Sequence, residues 1–157
     1  MSVLNSINII GSGLTAQQLR LDIVSENVTN SQTTRVENGE GAYRRKLVRF
    51  EAVSGRDSFR AALARASNGL ISNTEQATPA AGGVRVTEIL EDEVTPMKIV
   101  YDPTHPDADE DGYLEMPNVD MVKEIADAMA ASQAYSSNVT MLNTMKTVIT
   151  DALQIGK

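Results

Sequence analysis

The residues best spaced to bind a metal lie between 107 and 112, where the sequence reads Asp-Ala-Asp-Glu-Asp-Gly. This matches the first half of a D-x-D-x-D-G calcium loop, in which alternate side chains supply oxygen ligands. Such a loop also needs a bidentate Glu at its twelfth position, which is Asn118 here. We therefore predict no metal and no cofactor, and an acidic surface turn in which Gly112 takes a positive φ. A calcium-binding module through Asp107–Asp111 is the alternative from a different functional class.

Two further features could indicate an enzyme. The stretch Gly11–Ala16 matches G-x-G-x-x-A, a dinucleotide fingerprint, but only ten residues precede it and their apolar spacing is helical. Small residues that allow close helix packing explain it better. His105 is the only histidine, and nothing in the sequence designates a nucleophile or carboxylate partner for it. We predict a protein that is not an enzyme, with no catalytic residue, no cofactor-binding residue and no small-molecule substrate.

The charge distribution bears on the partners. The formal net charge is −7, which argues against nucleic acid. Residues 1–50 carry six Lys/Arg and four Asp/Glu, whereas residues 101–157 carry three and ten, so pairing of the unlike ends is favoured. The basic cluster Arg44–Lys46 is interpreted as a strand face that pairs with an acidic neighbour such as Glu91–Glu93.

Composition and hydropathy further narrow the class of protein. There is no Cys or Trp, aromatic residues are few, and seven Met accompany many Ala, which favours helix packing through small and flexible side chains. No stretch approaches the 18 apolar residues of a membrane span. The first residues lack the features of a secretory signal, so we expect either a cytoplasmic protein or export without a cleaved signal peptide.

Two amphipathic helices are predicted, one near each end. The first spans about Ser6–Asn30, and Thr15 could cap its second half after Gly11 and Gly13 weaken its first half. The second spans Val119–Ile155, with Asn118 as N-cap and Gly156 as the stop. Apolar residues in both step by four and three, the spacing of a coiled-coil seam. The N-terminal seam comprises Val3, Ile7, Ile10, Leu14, Gln17, Leu21, Val24 and Val28, and the C-terminal seam comprises Met121, Ile125, Ala128, Ser132, Tyr135, Val139, Leu142, Lys146, Ile149 and Leu153.

Each seam carries polar residues, namely Gln17, Ser132 and Lys146. Buried polar residues in a seam reduce stability but fix register and partner choice. They favour specific assembly with other subunits over the alternative, an antiparallel pair of the two helices within one chain.

The middle of the chain is predicted to be extended. Arg35–Val53 contains strand-forming residues, and Val84–Tyr101 reads as two strands around an exposed turn at Glu91–Glu93. Residues 54–83 look like an insertion, with helical spacing at Phe59, Leu63, Ala66 and Leu70. The predicted fold class is mainly α with a small β region, in which long terminal helices form a coiled coil around a middle that contains a β-hairpin. The expected segments are 1–34, 35–117 with the insertion 54–83, and 118–157.

Several of these stretches resemble a known family. Gly13–Asp22 and Ser25–Thr34 are similar to the N-terminal signature of bacterial flagellar rod and hook proteins, whose core reads Asn-Ile-Ala-Asn-x-x-Thr. Tyr101–Tyr113, together with Met116–Val119, resembles the proximal-rod members of that family, and Asn118–Gly156 is similar to the family's C-terminal helix.

The resemblance implies a structural subunit of the proximal rod in the flagellar basal body. Such a subunit is exported through the flagellar type III apparatus and polymerises into a helical tube that transmits torque, in the periplasmic region. Its partners would be neighbouring proximal-rod subunits, the distal rod and the export apparatus, in a homo- and hetero-oligomeric array. Another axial subunit of the proximal rod is the nearest alternative.

The seams and the family motif together designate an assembly interface. Its predicted residues are Ile7, Ile10, Leu14, Gln17, Leu21, Val24, Asn27, Val28, Asn30, Ile125, Met129, Ser132, Tyr135, Val139, Leu142, Lys146, Ile149 and Leu153.

Overall fold

The architecture confirms the predicted fold class of mainly α with a small β region. A computed structural model describes residues 3–36, 41–53 and 82–155. The elements are α1 (Val3–Thr29), β1 (Lys46–Ala52), β2 (Val84–Glu91), β3 (Lys98–Tyr101), β4 (Tyr113–Met116) and α2 (Met121–Ile155). The predicted helix near 59–70 and the predicted stop at Gly156 lie outside the described residues. No helix in the described part of the chain is both long enough and apolar enough to cross a membrane.

Helix α1 is continuous through its two glycines. The predicted cap at Thr15 is wrong, because the Thr15 hydroxyl donates to the carbonyl of Gly11 one turn earlier, at 3.1 Å, inside an unbroken helix. Gly13 has a packing reason: a Cβ there would lie 3.1 Å from Nδ2 of Asn138. The prediction that small residues serve close packing is thus confirmed at Gly13.

Helix α2 starts at a different cap from the predicted one. Oδ1 of Asp120 accepts the backbone N–H of Val122 at 3.1 Å, and the Asp120 carbonyl accepts the N–H of Glu124 at 3.0 Å. Asp120 is therefore the N-cap. The predicted cap, Asn118, turns its side chain toward other segments instead.

The strand pairing differs from the prediction. β1 pairs with β2 and β3 pairs with β4, so the expected return of 97–101 onto 84–89 is wrong. Asp92 N–H donates to the Arg45 carbonyl and Val53 N–H to the Gly83 carbonyl, which makes the first pair antiparallel. The second pair is an antiparallel hairpin with Lys98 opposite Met116 and Tyr101 opposite Tyr113. Strand β4 was not predicted, because four residues after an acidic loop give too short a pattern.

The chain divides into two compact units. We call Gln17–Arg49 with Glu88–Ala134 the central unit, and Met1–Ala16, Phe50–Thr87 and Tyr135–Lys157 the terminal unit. In the central unit Arg20 contacts Asp127 and Asn27 contacts Glu124, so α1 and α2 run antiparallel there. This is the intrachain helix pair that the sequence left as an alternative.

The two units differ in burial. The central unit contains Ile23, Val24, Ala42, Tyr43, Leu114, Val119 and Ala131 as buried apolar residues. In the terminal unit Ala16 is the one fully buried side chain among those that the structure describes. A polar contact also orders the terminal unit, since Ser12 Oγ donates to the Ile9 carbonyl and accepts the N–H of Val84 at 3.0 Å.

Candidate assembly site

A buried polar cluster joins the end of α1, the chain around β1 and the start of α2 in the central unit. We call it the polar node, and it consists of Asn27, Tyr43, Arg45, Asp92, Asn118 and Glu124. Asn27 is 1% exposed and Glu124 is 0% exposed, which is rare for such residues unless they are fully paired. The node therefore has to satisfy its own hydrogen bonds.

Asn27 uses its whole hydrogen-bonding capacity inside the node. Its Nδ2 donates to the Lys46 carbonyl at 2.9 Å and to Oε2 of Glu124 at 3.0 Å. Its Oδ1 accepts the Lys46 N–H at 2.8 Å and the Tyr43 hydroxyl at 2.9 Å. A side-chain amide offers two donors and one oxygen with two lone pairs, so all four are occupied.

The carboxylates of the node are paired in the same way. Oε1 of Glu124 accepts Nε of Arg45 at 2.6 Å, and Asp92 lies 3.9 Å from the same guanidinium. Asn118 accepts the Arg45 N–H at 2.8 Å and donates to the carbonyls of Asp92 and Thr95. The expected pairing of the basic cluster with acidic residues is thus realised through Asp92 and Glu124. The prediction of an exposed turn is wrong for Asp92, which is buried.

Two groups of the node have shifted pKa values. Burial raises the pKa of Tyr43 well above its usual range, and the nearby carboxylates of Glu26 and Glu124 add to the shift. The pKa of Asp92 is lowered, mainly because the backbone N–H and the hydroxyl of Thr95 donate to its carboxylate. Tyr43 is therefore held neutral and Asp92 ionised.

The family-like motif at the end of α1 has a structural explanation. Asn30 Nδ2 donates to the Glu26 carbonyl at 3.0 Å, and the Thr33 hydroxyl donates to Oδ1 of Asn30 at 3.1 Å. The Glu26 carbonyl also accepts the backbone N–H of Asn30, so it receives two donors in the last turn of the helix. Asn27 and Asn30, both predicted as interface residues, thus make their described hydrogen bonds within the chain.

In the central unit, the inward face of α2 is rotated from the predicted seam. Its most buried residues are Glu124 and Ala131, each one position before the predicted Ile125 and Ser132. A seam through residues 124, 128, 131 and 135 has the same alternating spacing of four and three as the predicted seam. No local pattern places the charged Glu124 inside, because its partners Arg45 and Asn27 lie 79 and 97 residues away in the chain.

The rotation leaves apolar residues of α2 in solvent. Ile125 is 51% exposed and Met129 is 69% exposed, and Val122, which the prediction did not include, is 76% exposed. Spacings of three and four place these residues on one side of the helix, which we call the outer stripe. Ser132, Lys146 and Leu153 are also exposed, whereas Tyr135, Val139, Leu142 and Ile149 are half-buried.

The predicted residues of α1 are less exposed. Val24 is buried, and Ile7, Ile10, Leu14, Gln17, Leu21 and Val28 are half-buried. Oε1 of Gln17 is a buried oxygen without a hydrogen-bond partner among the described residues. Arg20 forms an ion pair with Asp127, its Nε lying 3.1 Å from Oδ2, which has the sign that the charge distribution predicted.

An open groove in the terminal unit brings several predicted residues together. It has a volume of about 340 Å³ and is lined by Ile7, Leu142, Lys146, Ile149 and Thr150. Its wall is almost entirely apolar. The groove is therefore a place where an apolar side chain from another molecule could be buried.

The acidic loop uses its oxygens for internal bonds. Oδ1 of Asp109 accepts the N–H groups of Asp111 and Tyr113, and Oδ2 of Asp107 accepts the Thr34 hydroxyl at 2.8 Å. Gly112 has φ +81°, so the predicted positive φ is confirmed. No cluster of three or more potential metal ligands occurs within the residues that the structure describes. Nδ1 of His105 accepts the Asp107 N–H at 3.2 Å, a turn contact.

Comparison with known proteins gives one consistent answer. The family described as flagella basal body rod protein matches residues 7–35, and the C-terminal family of flagellar basal body rod FlgEFG proteins matches residues 110–155. The flagellar basal-body rod protein FlgC of Bacillus subtilis is 41% identical, with 100% of both chains covered. Its counterparts are 37% identical in Borreliella burgdorferi (99% of this chain, 98% of the relative) and 35% in Salmonella typhimurium (100% of both).

Proposed function

This chain belongs to the FlgC family of flagellar basal-body rod proteins, and from that membership we propose that it is a subunit of the proximal rod. It is a structural protein of the basal body and has other rod proteins as partners, and it is not an enzyme. The resemblance that the motifs indicated is confirmed. The proximal position, the periplasmic region and export through the type III apparatus without a cleaved signal are parts of the proposal.

The observation that carries the assembly proposal is the exposure of apolar side chains along α2. The outer stripe of Val122, Ile125 and Met129 lies in the central unit, and the terminal unit separately exposes Met141, Val148 and Leu153. Contiguous exposed apolar residues mark interaction surfaces, and Met is enriched in protein interfaces. We propose that these residues, together with the groove at Ile7, Leu142 and Ile149, pack against the helices of neighbouring subunits.

The geometry of such packing favours an open array. The outer stripe and the groove are different surfaces, so a contact between unlike surfaces repeats from subunit to subunit. Repetition of a heterologous contact with a rotation that does not close gives a helical tube. A tube of this kind carries torque through many lateral helix contacts.

We further propose that the terminal unit completes its folding on docking. Isolated helices are marginal in water and gain most of their stability from packing. The described part of this unit has one fully buried side chain, and packing against neighbouring subunits would add to its burial. A chain with loosely held ends also suits export in an unfolded form before assembly.

The test substitutes the outer stripe in bacteria that depend on this protein for swimming. Ile125→Asp should abolish swimming and remove assembled rods from isolated basal bodies, because a carboxylate would be buried without a partner. The purified variant should unfold within about 0.5 kcal/mol of the parent, since the position is exposed in the free subunit.

Ala130→Asp provides the matched control. Ala130 is an exposed residue of the same helix, about a quarter-turn away from the stripe. This control should swim normally. Normal swimming by Ile125→Asp would contradict the proposed interface.

A further inference from the structure

The β3–β4 hairpin in the central unit presents an apolar face to solvent. Side chains alternate along a strand, and the register places Ile99, Tyr101, Tyr113 and Glu115 on one side. Their opposite-side neighbour Leu114 is buried, so this side is the outer one. Ile99, Tyr101 and Tyr113 are 69%, 64% and 49% exposed.

The two tyrosines form a fixed platform on this face. Their ring centroids lie 5.3 Å apart with an interplanar angle of 64°, an edge-to-face pair. The loop that joins the strands is held by its own hydrogen bonds, including Gly112 N–H to the Asp109 carbonyl and Asp102 N–H to the Gly112 carbonyl. Two of the four tyrosines in the chain are thus exposed to solvent next to each other.

The surroundings of the platform are strongly acidic. Residues 101–115 contain six Asp/Glu and no Lys or Arg. Glu110, Asp111 and Glu115 are exposed, and none of them forms an ion pair with another residue in the described ranges. Tyrosine faces and free carboxylates together suit a guanidinium, which stacks on aromatic rings and binds carboxylates through two N–H groups.

The chain itself carries the complementary surface. Residues 41–49 contain four Lys/Arg and no Asp/Glu. Arg45, Lys46 and Arg49 are paired with Glu124, Glu26 and Glu88. Arg44 is exposed between these paired residues and buried Tyr43, and it makes no ion pair with any residue that the structure describes. The exposed Arg44 side chain can therefore be reached by another molecule.

We propose that the outer face of the β3–β4 hairpin in one copy of this chain receives Arg44 of a second copy. The guanidinium stacks on one ring of the Tyr101–Tyr113 pair, because rings inclined at 64° cannot both lie parallel to it. It pairs with Glu110 or Asp111, while exposed Leu47 packs near Ile99. The contact joins unlike surfaces and is compatible with an open array. It rests on the proposed function, because it links copies within a rod, and it adds a contact outside the helices.

Cross-linking in basal bodies tests the contact, and the absence of cysteine in the chain makes single thiols specific. Cells express two tagged copies, one with Leu47→Cys and one with Ile99→Cys, and isolated basal bodies are treated with a short bismaleimide. We expect a linked dimer of the two copies. Replacing Ile99→Cys by Val94→Cys, at a position that is 94% exposed but off the platform, should lower the yield about tenfold.

Charge reversal makes the test independent of thiol accessibility. Arg44→Glu added to the Leu47→Cys copy should lower the yield about tenfold, because like charges then face each other. Glu110→Arg and Asp111→Arg added to the Ile99→Cys copy should restore it.

Three results would overturn the inference: a yield equal to that of the Val94→Cys control, no effect of the reversals, or linkage to a different rod protein. Failure of the proposed function has another signature, since the tagged chain would then be missing from basal bodies altogether.

Discussion

The central and terminal units are stabilised in different ways, although the same two helices run through both. In the central unit, α1 and α2 are joined by the buried polar node, in which Asn27 and Glu124 have described partners for their polar groups. In the terminal unit, the described contacts are half-buried apolar residues, the close approach at Gly13 and the hydrogen bonds of Ser12. We propose that the central unit holds its fold alone, whereas the terminal unit gains burial from other subunits.

The largest loss of stability is expected when the carboxylate at the centre of the polar node is removed. Glu124→Ala leaves Arg45 and Asn27 without their partner in a buried place, and removing one member of a buried ion pair costs about 3 kcal/mol. Urea unfolding of the purified chain, monitored by circular dichroism, measures this loss of stability. The control Glu115→Ala removes an exposed carboxylate and should change stability by less than about 0.5 kcal/mol. Equal effects of the two substitutions would contradict the assignment of the node as the main support.

The next largest loss of stability also concerns the central unit, and it is expected to depend on pH. The pKa of Asp92 is lowered in the fold, so its ionised form stabilises the native state above about pH 4, and that contribution is lost as the pH falls through the folded pKa. Asp92→Asn should therefore cost about 1 kcal/mol at pH 7 and less at pH 3. Unfolding midpoints measured at both pH values test this, and a cost that is unchanged with pH would contradict it.

Tyr43 should give the opposite dependence at high pH. Its pKa is raised in the fold, so the neutral phenol stabilises the native state fully below about pH 10, and the contribution is lost as the pH rises through the folded pKa. Tyr43→Phe should lose about 1 kcal/mol near neutrality, because one hydrogen bond to Asn27 disappears. Above about pH 10 its unfolding midpoint should fall less steeply than that of the parent. Equal falls of the unfolding midpoint with pH in the two proteins would show that the fold does not raise the pKa of the Tyr43 phenol.

In the terminal unit, a single substitution is expected to raise stability. A Cβ at Gly11 would meet no atom within 4 Å, so Gly11→Ala should stabilise the start of α1 by about 1 kcal/mol through helix propensity. Gly13→Ala is the matched control, because its Cβ would lie 3.1 Å from Asn138 and crowd that side chain. Helix content of the purified chain should rise more for Gly11→Ala than for Gly13→Ala. A larger rise for Gly13→Ala would contradict the close contact.

The smallest effect is expected at Gln17, where α1 passes into the central unit. Its buried Oε1 has no partner among the described residues, so Gln17→Met, of similar shape, should raise stability by about 0.5 kcal/mol. If the polar group instead fixes register between subunits, as its place in the seam suggested, rods built from this variant should be less regular. Thermal unfolding of the free chain and electron microscopy of basal bodies separate these two roles.

The sequence predicted the elements better than their partners. Both helices were found from local periodicity, and Gly112 was correctly assigned a positive φ. In the central unit the inward face of α2 was displaced by one position, because Glu124 is buried only through partners 79 and 97 residues away. Asn118 was taken for a cap and Asp92 for a turn residue because both are typical local roles. Their actual roles depend on pairing between β1 and β2, which no local window contains.

Amide hydrogen exchange on the purified subunit and on assembled rods tests the central claim most directly. In the free subunit, we expect slow exchange around Ile23, Val24 and Ala131 in the central unit, and fast exchange in α1 before Ala16 and in α2 after Tyr135. Assembly should slow exchange in those end segments and leave the central unit nearly unchanged. End segments that are already as protected as the central unit in the free subunit would contradict the account.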